Sequence, residues 1–315
     1  MSDICYLGID TSNYTTSLAI ADSNGEIVAN LKIPLSVKTG ERGLRQSDAV
    51  FQHTKNMPHI FCTAEEYLNK YSPAAIGVSV SPRSCEGSYM PCFLAGKSAA
   101  YSISKAMGIP LYELSHQNGH VMAAVYSSQM PIEFLCEPFL AFHVSGGTTE
   151  ALLVTPNGCD FDCKIVGGTK DINAGQAIDR VGVAMGMKFP CGAELERLAL
   201  ECNERIPKPQ ICVNDGFCNL SGLENKAIEL FEKTRDKNLV SAYVLDFVGA
   251  TLERMSEEVR GKYSGYPIVY SGGVMSCSIL QKRLKKDKCY FAKPEFSADN
   301  ASGTALLCRR HFLNQ

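Results

Sequence analysis

No segment of this 315-residue chain is long and apolar enough to cross a bilayer, so a membrane partner is not expected. No excess of charge is present either: 31 basic against 33 acidic residues leave a net charge of −2. The chain therefore lacks the global basic field that drives nucleic-acid binding by counterion release, and an RNA substrate would need a local patch or a partner protein. No Cys-x-x-Cys pair occurs among the 14 cysteines, which points to reduced, mostly buried thiols. The closest pairs, Cys159 with Cys163 and Cys212 with Cys218, are secondary metal candidates. Ahead of the strand-like Cys5 to Ile9 there is no basic region, apolar core and small-residue cleavage site, so a cytoplasmic protein is expected. No Gly-x-Gly-x-x-Gly opens a helix, which argues against a doubly wound dehydrogenase fold.

What is present is an internal repeat. Leu7 to Ile20 reads as two apolar strands joined by a polar turn, with Asn24-Gly25 marking a hairpin; a second copy runs from Leu140 to Val154, with Asn157-Gly158 at its turn. Leu7/Leu140, Ser12/Ser145, Thr15/Thr148, Thr16/Thr149, Asn24/Asn157 and Gly25/Gly158 align at one constant offset. Helix and strand signals follow each copy. In the first half they predict a helix over 51–71 bent near Pro58, a strand at Ala75 to Ser81, a helix from Glu86 to Met107 and a strand at Pro110 to Leu114. In the second, Val240, Tyr243, Val244, Phe247, Val248, Leu252 and Met255 mark a long amphipathic helix before the strand Pro267 to Tyr270. Hairpin, helix and crossover strand, given twice, is an α/β layout of two ribonuclease-H-like lobes around a nucleotide cleft. The expected domains are 1–128 and 129–315, the second with a helical insertion and a last segment returning to the cleft.

His116-Gln117-Asn118-Gly119-His120 follows a strand and starts a helix, where a four-residue separation puts both imidazoles on one face. The pair can share a metal ion or be two surface histidines. It is not a zinc-protease motif, which needs Glu after the first His as base. Six histidines in all make a carboxylate the expected third ligand. Asp299 or Asn300 precedes the C-terminal helix, Thr304 to Phe312, as an N-cap or as that ligand. Ser145-Gly146-Gly147 and Ser271-Gly272-Gly273 are glycine turns after strands, where backbone can approach phosphate closely. Asp179, on a helix beginning near Asn173, is either a solvated carboxylate or an acceptor for sugar hydroxyls.

In this order the pieces resemble the tRNA threonylcarbamoyladenosine synthase family, also described as glycoprotease or sialoglycoprotein endopeptidase. The resemblance runs nearly end to end. It takes in Gly8-Ile9-Asp10-Thr11-Ser12, the block His116 to His120, Val144-Ser145-Gly146-Gly147, Ala174-Gly175 to Asp179 and Phe189-Pro190 with Gly192. It continues through Leu220-Ser221-Gly222-Leu223, Gly272-Gly273-Val274 and Asp299-Asn300. It implies the actin/Hsp70/sugar-kinase fold and metal ligands at His116, His120 and Asp299, with iron or zinc as the divalent ion. It implies an adenine-nucleotide site, for ATP, ADP or an acyl-adenylate, at His143, Val144, Ser145, Gly146, Gly147, Asp179, Gly192, Gly272, Gly273 and Cys277. Implied partners are tRNA, a paralogous subunit and an ATPase of the tRNA modification complex.

The sequence also departs from that pattern. Asn13-Tyr14-Thr15 stands where the family has Cys-Asp-Glu, removing two carboxylates; Asn118 replaces Glu, Thr148 replaces His, and Cys277 replaces Asn. Arg45-Gln46-Ser47-Asp48 differs as well. Metal ligands and glycine turns are kept while acid/base groups change. The expectation is an acyl transferase resembling tRNA N6-adenosine threonylcarbamoyltransferase, with a carbamoyltransferase on another acceptor or a non-catalytic nucleotide-binding subunit as alternatives. A peptidase is disfavoured by the absent base.

Overall fold

The computed structural model describes residues 3–12, 14–37 and 44–314. Its elements begin with strands β1 (Asp3–Asp10), β2 (Thr15–Asp22) and β3 (Ile27–Pro34), then helices α1 (Gln46–Thr63) and α2 (Glu65–Lys70). They continue with β4 (Tyr71–Ser81), α3 (Phe93–Met107), β5 (Leu111–Ser115) and α4 (His116–Ser128). A second series has β6 (Phe139–Val144), β7 (Thr149–Asn157), β8 (Asp160–Thr169), α5 (Ala174–Ala184), α6 (Gly192–Leu200), β9 (Cys212–Asn214), β10 (Phe217–Asn219), α7 (Ser221–Thr234) and α8 (Lys237–Lys262). It closes with β11 (Ile268–Ser271), α9 (Ser278–Leu284), β12 (Cys289–Phe291), α10 (Pro294–Ser297) and α11 (Ser302–Leu313).

Contacts divide the chain into two compact units. The first comprises residues 1–127, 156–162 and 295–315; the second comprises 128–155 and 163–294. Their sheets repeat one topology. The first has the order β3-β2-β1-β4-β5, and the second contains β8-β7-β6-β11-β12, extended past β8 by β10 and β9. In each, the first strand pairs antiparallel with the second and parallel with the fourth, and the fourth pairs parallel with the fifth. The two aligned sequence copies thus form equivalent strands of two separate sheets, and β9 and β10 have no counterpart in the first.

In the first unit β1 is buried on both faces, as a central strand with helices on either side must be. Leu7 and Ile9 pack with Met57, Ile60 and Ala100 from α1 and α3. The alternate face carries Gly8, over which α11 passes so closely that a β-carbon would meet the Ala301 carbonyl and Ala305 amide at 2.5 Å. This explains where the last segment lies. The division expected from the sequence counted residues 295–315 with the second lobe, but their contacts are with the first unit, because Gly8 leaves a seat for α11 on β1. In the second unit, Leu140, Phe142 and Val144 of β6 pack with Ile178 and Val181 of α5 and Val244 and Val248 of α8.

Some local expectations change. Helix α1 starts earlier and runs through Pro58; the break falls at Ala64, before α2. Helix α3 begins at Phe93 rather than near Glu86, because Gly87 takes φ +77° and Pro91 disfavours helix in the residue before it. All 14 cysteines are free thiols, but only Cys5, Cys92, Cys191, Cys218 and Cys308 are buried, so the expectation of mostly buried thiols does not hold. Asn13 lies outside the described residues.

Candidate metal centre and a glycine-lined cavity

His116 and His120 open α4 directly from the end of β5, one turn apart, with ring centroids at 4.2 Å. Asp299 arrives on the segment ahead of α11. Its Oδ1 lies 3.2 Å from His120 Nε2 and 3.7 Å from His116 Nε2. The three ligand atoms fall within 4.8 Å of one another, and among the described residues this is the one such cluster of His, Cys, Asp or Glu; neither cysteine pair forms one. Asn300, not Asp299, serves the helix end: its Oδ1 accepts from the Ser302 amide and its Nδ2 donates to the Phe296 and Ala298 carbonyls. Asp299 is left to face the imidazoles.

The approach of α11 to α4 rests on paired glycines. A β-carbon at Gly303 would collide with the Gly119 carbonyl, and one at Gly119 would sit 3.0 Å from Thr304 Oγ1. Beneath the cluster lies Asp10, the last residue of β1 and 1 % exposed. His116 Nδ1 donates to its Oδ2 at 2.8 Å, while its Oδ1 accepts from the Ser12 amide at 2.8 Å and from the Ser12 hydroxyl. A carboxylate on Nδ1 fixes the tautomer and leaves Nε2 toward Asp299, as outer-shell carboxylates do for metal-bound histidine. Two imidazoles and one carboxylate suit iron or zinc, and three protein donors leave coordination positions for water or substrate. The residues fit the ion that the fold and sequence imply.

Burial alone would lower the His116 pKa, but the charge and hydrogen bond of Asp10 and the charge of Asp299 outweigh it and raise it to about 9. Burial likewise opposes ionisation of Asp10 and Asp299, yet the histidines hold both below the ordinary carboxylate value. The sign for stability follows. With the His116 pKa raised above its unfolded value of about 6.5, the pairing stabilises fully below that pH and is lost as pH rises through 9. Chelator-treated protein is expected to lose melting temperature across this window more steeply than a His116→Gln variant. Added metal is expected to stabilise more as pH rises, because bound imidazole must be unprotonated. Equal slopes for the two proteins in thermal melts would contradict the assignment.

The second unit holds a cavity of about 390 Å³. Of the nucleotide residues inferred from the sequence, Gly146, Asp179, Gly192, Gly273 and Cys277 line it. The others do not. His143 pairs its Nδ1 with Ser271 Oγ at 3.2 Å, Val144 is buried in β6, and the Ser145 hydroxyl accepts from the amides of Gly147 and Thr148. Gly272, at φ +97°, has a packing role, since a β-carbon there would strike the Val144 carbonyl. Asp179 commits Oδ1 to the Cys191 amide at 2.7 Å. Burial pushes the Cys277 thiol up to about 11, so it is a neutral group at pH 7.

Sequence reasoning missed three contributors. Asp10 was legible as a carboxylate closing an apolar strand, though its partner was not. Gly175 packs so closely that a β-carbon would stand 2.6 Å from the Gly146 amide nitrogen; the sequence showed it as part of the Ala174-Gly175 motif but not this contact. Glu196 lines the cavity, where its Oε1 accepts from the Ser278 amide and hydroxyl; nothing in the sequence singles it out. No described helix is long and apolar enough to span a membrane.

Comparison with known proteins places the chain by fold and family. A Streptococcus pneumoniae (strain CGSP14) tRNA N6-adenosine threonylcarbamoyltransferase is 30% identical over 296 residues, covering 90% of this chain and 84% of that protein. Component A of (R)-2-hydroxyglutaryl-CoA dehydratase from Acidaminococcus fermentans has a TM-score of 0.57 at 16% identity, covering 98% of both chains. A ROK family glucokinase from Streptomyces griseus, solved with glucose and AMPPNP, has a TM-score of 0.51 at 11% identity, covering 97% of this chain and 99% of that one. These likenesses give the fold, the actin/Hsp70/sugar-kinase type. Residues 44–306 match the family description tRNA N6-adenosine threonylcarbamoyltransferase, and with a relative of that name at this identity and coverage, the chain belongs to that family.

Proposed function

We propose that this chain transfers a threonylcarbamoyl group from its adenylate to the N6 amino group of adenosine in tRNA, and that it requires partner proteins to do so. The observation that carries the reading is the His116, His120 and Asp299 cluster backed by buried Asp10. A fold that only needed stability has no use for three converging ligands with an outer-shell carboxylate. Bound there, iron or zinc would supply Lewis-acid polarisation of the acyl donor. In the second unit, Gly146 and Gly273 leave room for phosphate, and the second oxygen of Asp179 is available to a ribose hydroxyl. In the reaction N6 bonds to the carbamoyl carbon, the bond from that carbon to the adenylate oxygen breaks, and AMP leaves with the electron pair as N6 gives up a proton.

The proton is where this chain differs. Tyr14 and Thr15 supply no carboxylate, Asn118 is buried and cannot take a proton, and Asp10 is committed to His116. RNA contact is also limited. Lys282 and Lys285, on and just after α9, are exposed and unpaired, but they are a small basic patch on a chain of net charge −2. Both points support a requirement for a paralogous subunit and the ATPase of the modification complex.

The test is to incubate the metal-loaded protein with threonylcarbamoyl-adenylate and unmodified tRNA, alone and with the host's other modification proteins, and to assay the nucleoside by mass spectrometry. Little product alone and a several-fold gain with partners is the expected result. Robust formation alone would remove the partner requirement. Silence in both arms, with metal and nucleotide still bound, would favour a carbamoyl transfer to another acceptor or a non-catalytic nucleotide-binding subunit.

A further inference from the structure

Beside the glycine-lined cavity the second unit has a more open groove of about 460 Å³. One wall is a single stripe of α5, with Gln176, Asp179, Arg180 and Val183 recurring at helical spacing. Facing it stand Phe189, from the turn after the helix, and Glu224 of α7. Two large apolar side chains here are left to solvent: Phe189 is 75 % exposed and Val183 is 53 % exposed. Groove and cavity share Asp179, and adjacent residues line them, Phe189 the groove and Pro190 the cavity.

We propose that this groove is a stacking subsite for a nucleobase, with Phe189 as the platform, and that it takes a base of the RNA acceptor; this rests on the transfer reading above. Position comes first. An acceptor base must come close to the adenylate, and a groove that shares a lining side chain with the cavity adjoins it. The ring chemistry fits too. An exposed phenylalanine offers its π-face to any base, and base stacking on aromatic side chains is the main source of sequence-tolerant affinity for single-stranded nucleic acid. The rim then matches the edge of a base rather than an aliphatic side chain. Arg180 gives Glu224 one Nη1 bond at 3.2 Å and keeps further N–H donors, while Gln176 uses its Oε1 to accept from the Asn173 amide and keeps its NH2. Glu224, which takes the Arg180 bond on Oε2, supplies an acceptor at Oε1. Donors and acceptors together around one exposed ring are what a purine or pyrimidine edge requires, whereas an apolar protein side chain docking on Phe189 would leave them unmatched.

The experiment compares wild type, Phe189→Ala and Phe189→Tyr, each assembled with the host's other modification proteins, by fluorescence anisotropy with a short single-stranded RNA containing one adenosine, and with the same RNA made abasic at that position. AMP binding is measured in parallel by calorimetry. Because Phe189 is exposed, all three proteins should melt alike. Phe189→Ala is expected to weaken RNA binding about 5- to 140-fold, the range for one stacked base, with AMP affinity kept within about twofold and Phe189→Tyr restoring the RNA affinity. The abasic RNA should lose a similar factor on wild type and little more on Phe189→Ala, since both changes remove one contact. Equal RNA affinity of wild type and Phe189→Ala, a parallel loss of AMP binding, or no RNA binding by wild type would each overturn the subsite. So would loss of a modification partner's binding with RNA affinity intact, which would assign the groove to a protein surface. Unchanged tRNA modification by Phe189→Ala in the presence of partners would overturn the subsite alone and leave the transfer reading standing.

Discussion

A His120→Ala/Asp299→Ala double variant is expected to fold normally and to carry essentially no transition metal, where the wild type purified without chelator carries about one ion per chain. Two of three donors are gone, and one imidazole cannot hold a divalent ion against solvent. The fold is spared because the change leaves the Asp10–His116 pair intact, and alanine in α4 is a good helix former. His116→Ala should behave differently. It removes the same metal but also strips the buried Asp10 carboxylate of its charged partner, a kind of loss that costs about 3–5 kcal/mol. Elemental analysis and thermal melts on the two variants separate the effects: both metal-free, only His116→Ala strongly destabilised. Metal retained by the double variant would end the assignment of the centre. Equal melting of the two would mean that Asp10 does not depend on His116.

Gly303→Ala should be the most damaging single methyl group in the first unit. It would be driven into the Gly119 carbonyl, with backbone on both sides and no flexible side chain to give way. Overpacking of this kind costs about 1–3 kcal/mol or more, and each kcal/mol lowers the melting temperature by roughly 2–4 °C in a protein of moderate size. The larger consequence is functional. Prising α11 from α4 moves Asp299 away from His116 and His120, so metal content should fall with stability although no ligand has been changed. Gly222→Ala, in α7 with open space around it, is the control and should leave both unaltered. Full metal occupancy in Gly303→Ala would show that the approach of the two helices does not set the centre.

These experiments fall on a division between what could be read along the chain and what could not. Periodic features were legible because they are local: the alternation and turn residues of the two hairpins, the long apolar stripe of α8, and the four-residue spacing of His116 and His120 on one helical face. The repeat at constant offset carried further, to two sheets of one topology, since identical local patterns meet identical packing requirements. Proline and glycine were read less well. Pro58 looked like a bend and lies inside α1, while the stretch before Pro91 looked helical and is not. At Pro58 the packing of α1 outweighed the local preference, whereas before Pro91 the local preferences of Gly87 and Pro91 outweighed the helical pattern.

What the sequence determined by itself was the set of donors, the glycine turns and the α/β character, all properties of residue type and short-range spacing. Only the tertiary structure decided which donors meet and what supports them. Asp299 lies far along the chain from His120, and Asp10 is also remote from His116; their encounters depend on Gly8 and on the Gly119/Gly303 contact, which let helix backbone settle where a β-carbon would forbid it. The choice of Asn300 over Asp299 to serve the start of α11 was equally beyond the sequence, because either side chain can accept an amide hydrogen and only the direction of the approaching helix selects one. Spacing along a helix is fixed by its pitch, but distance between segments is fixed by how closely their backbones can pack.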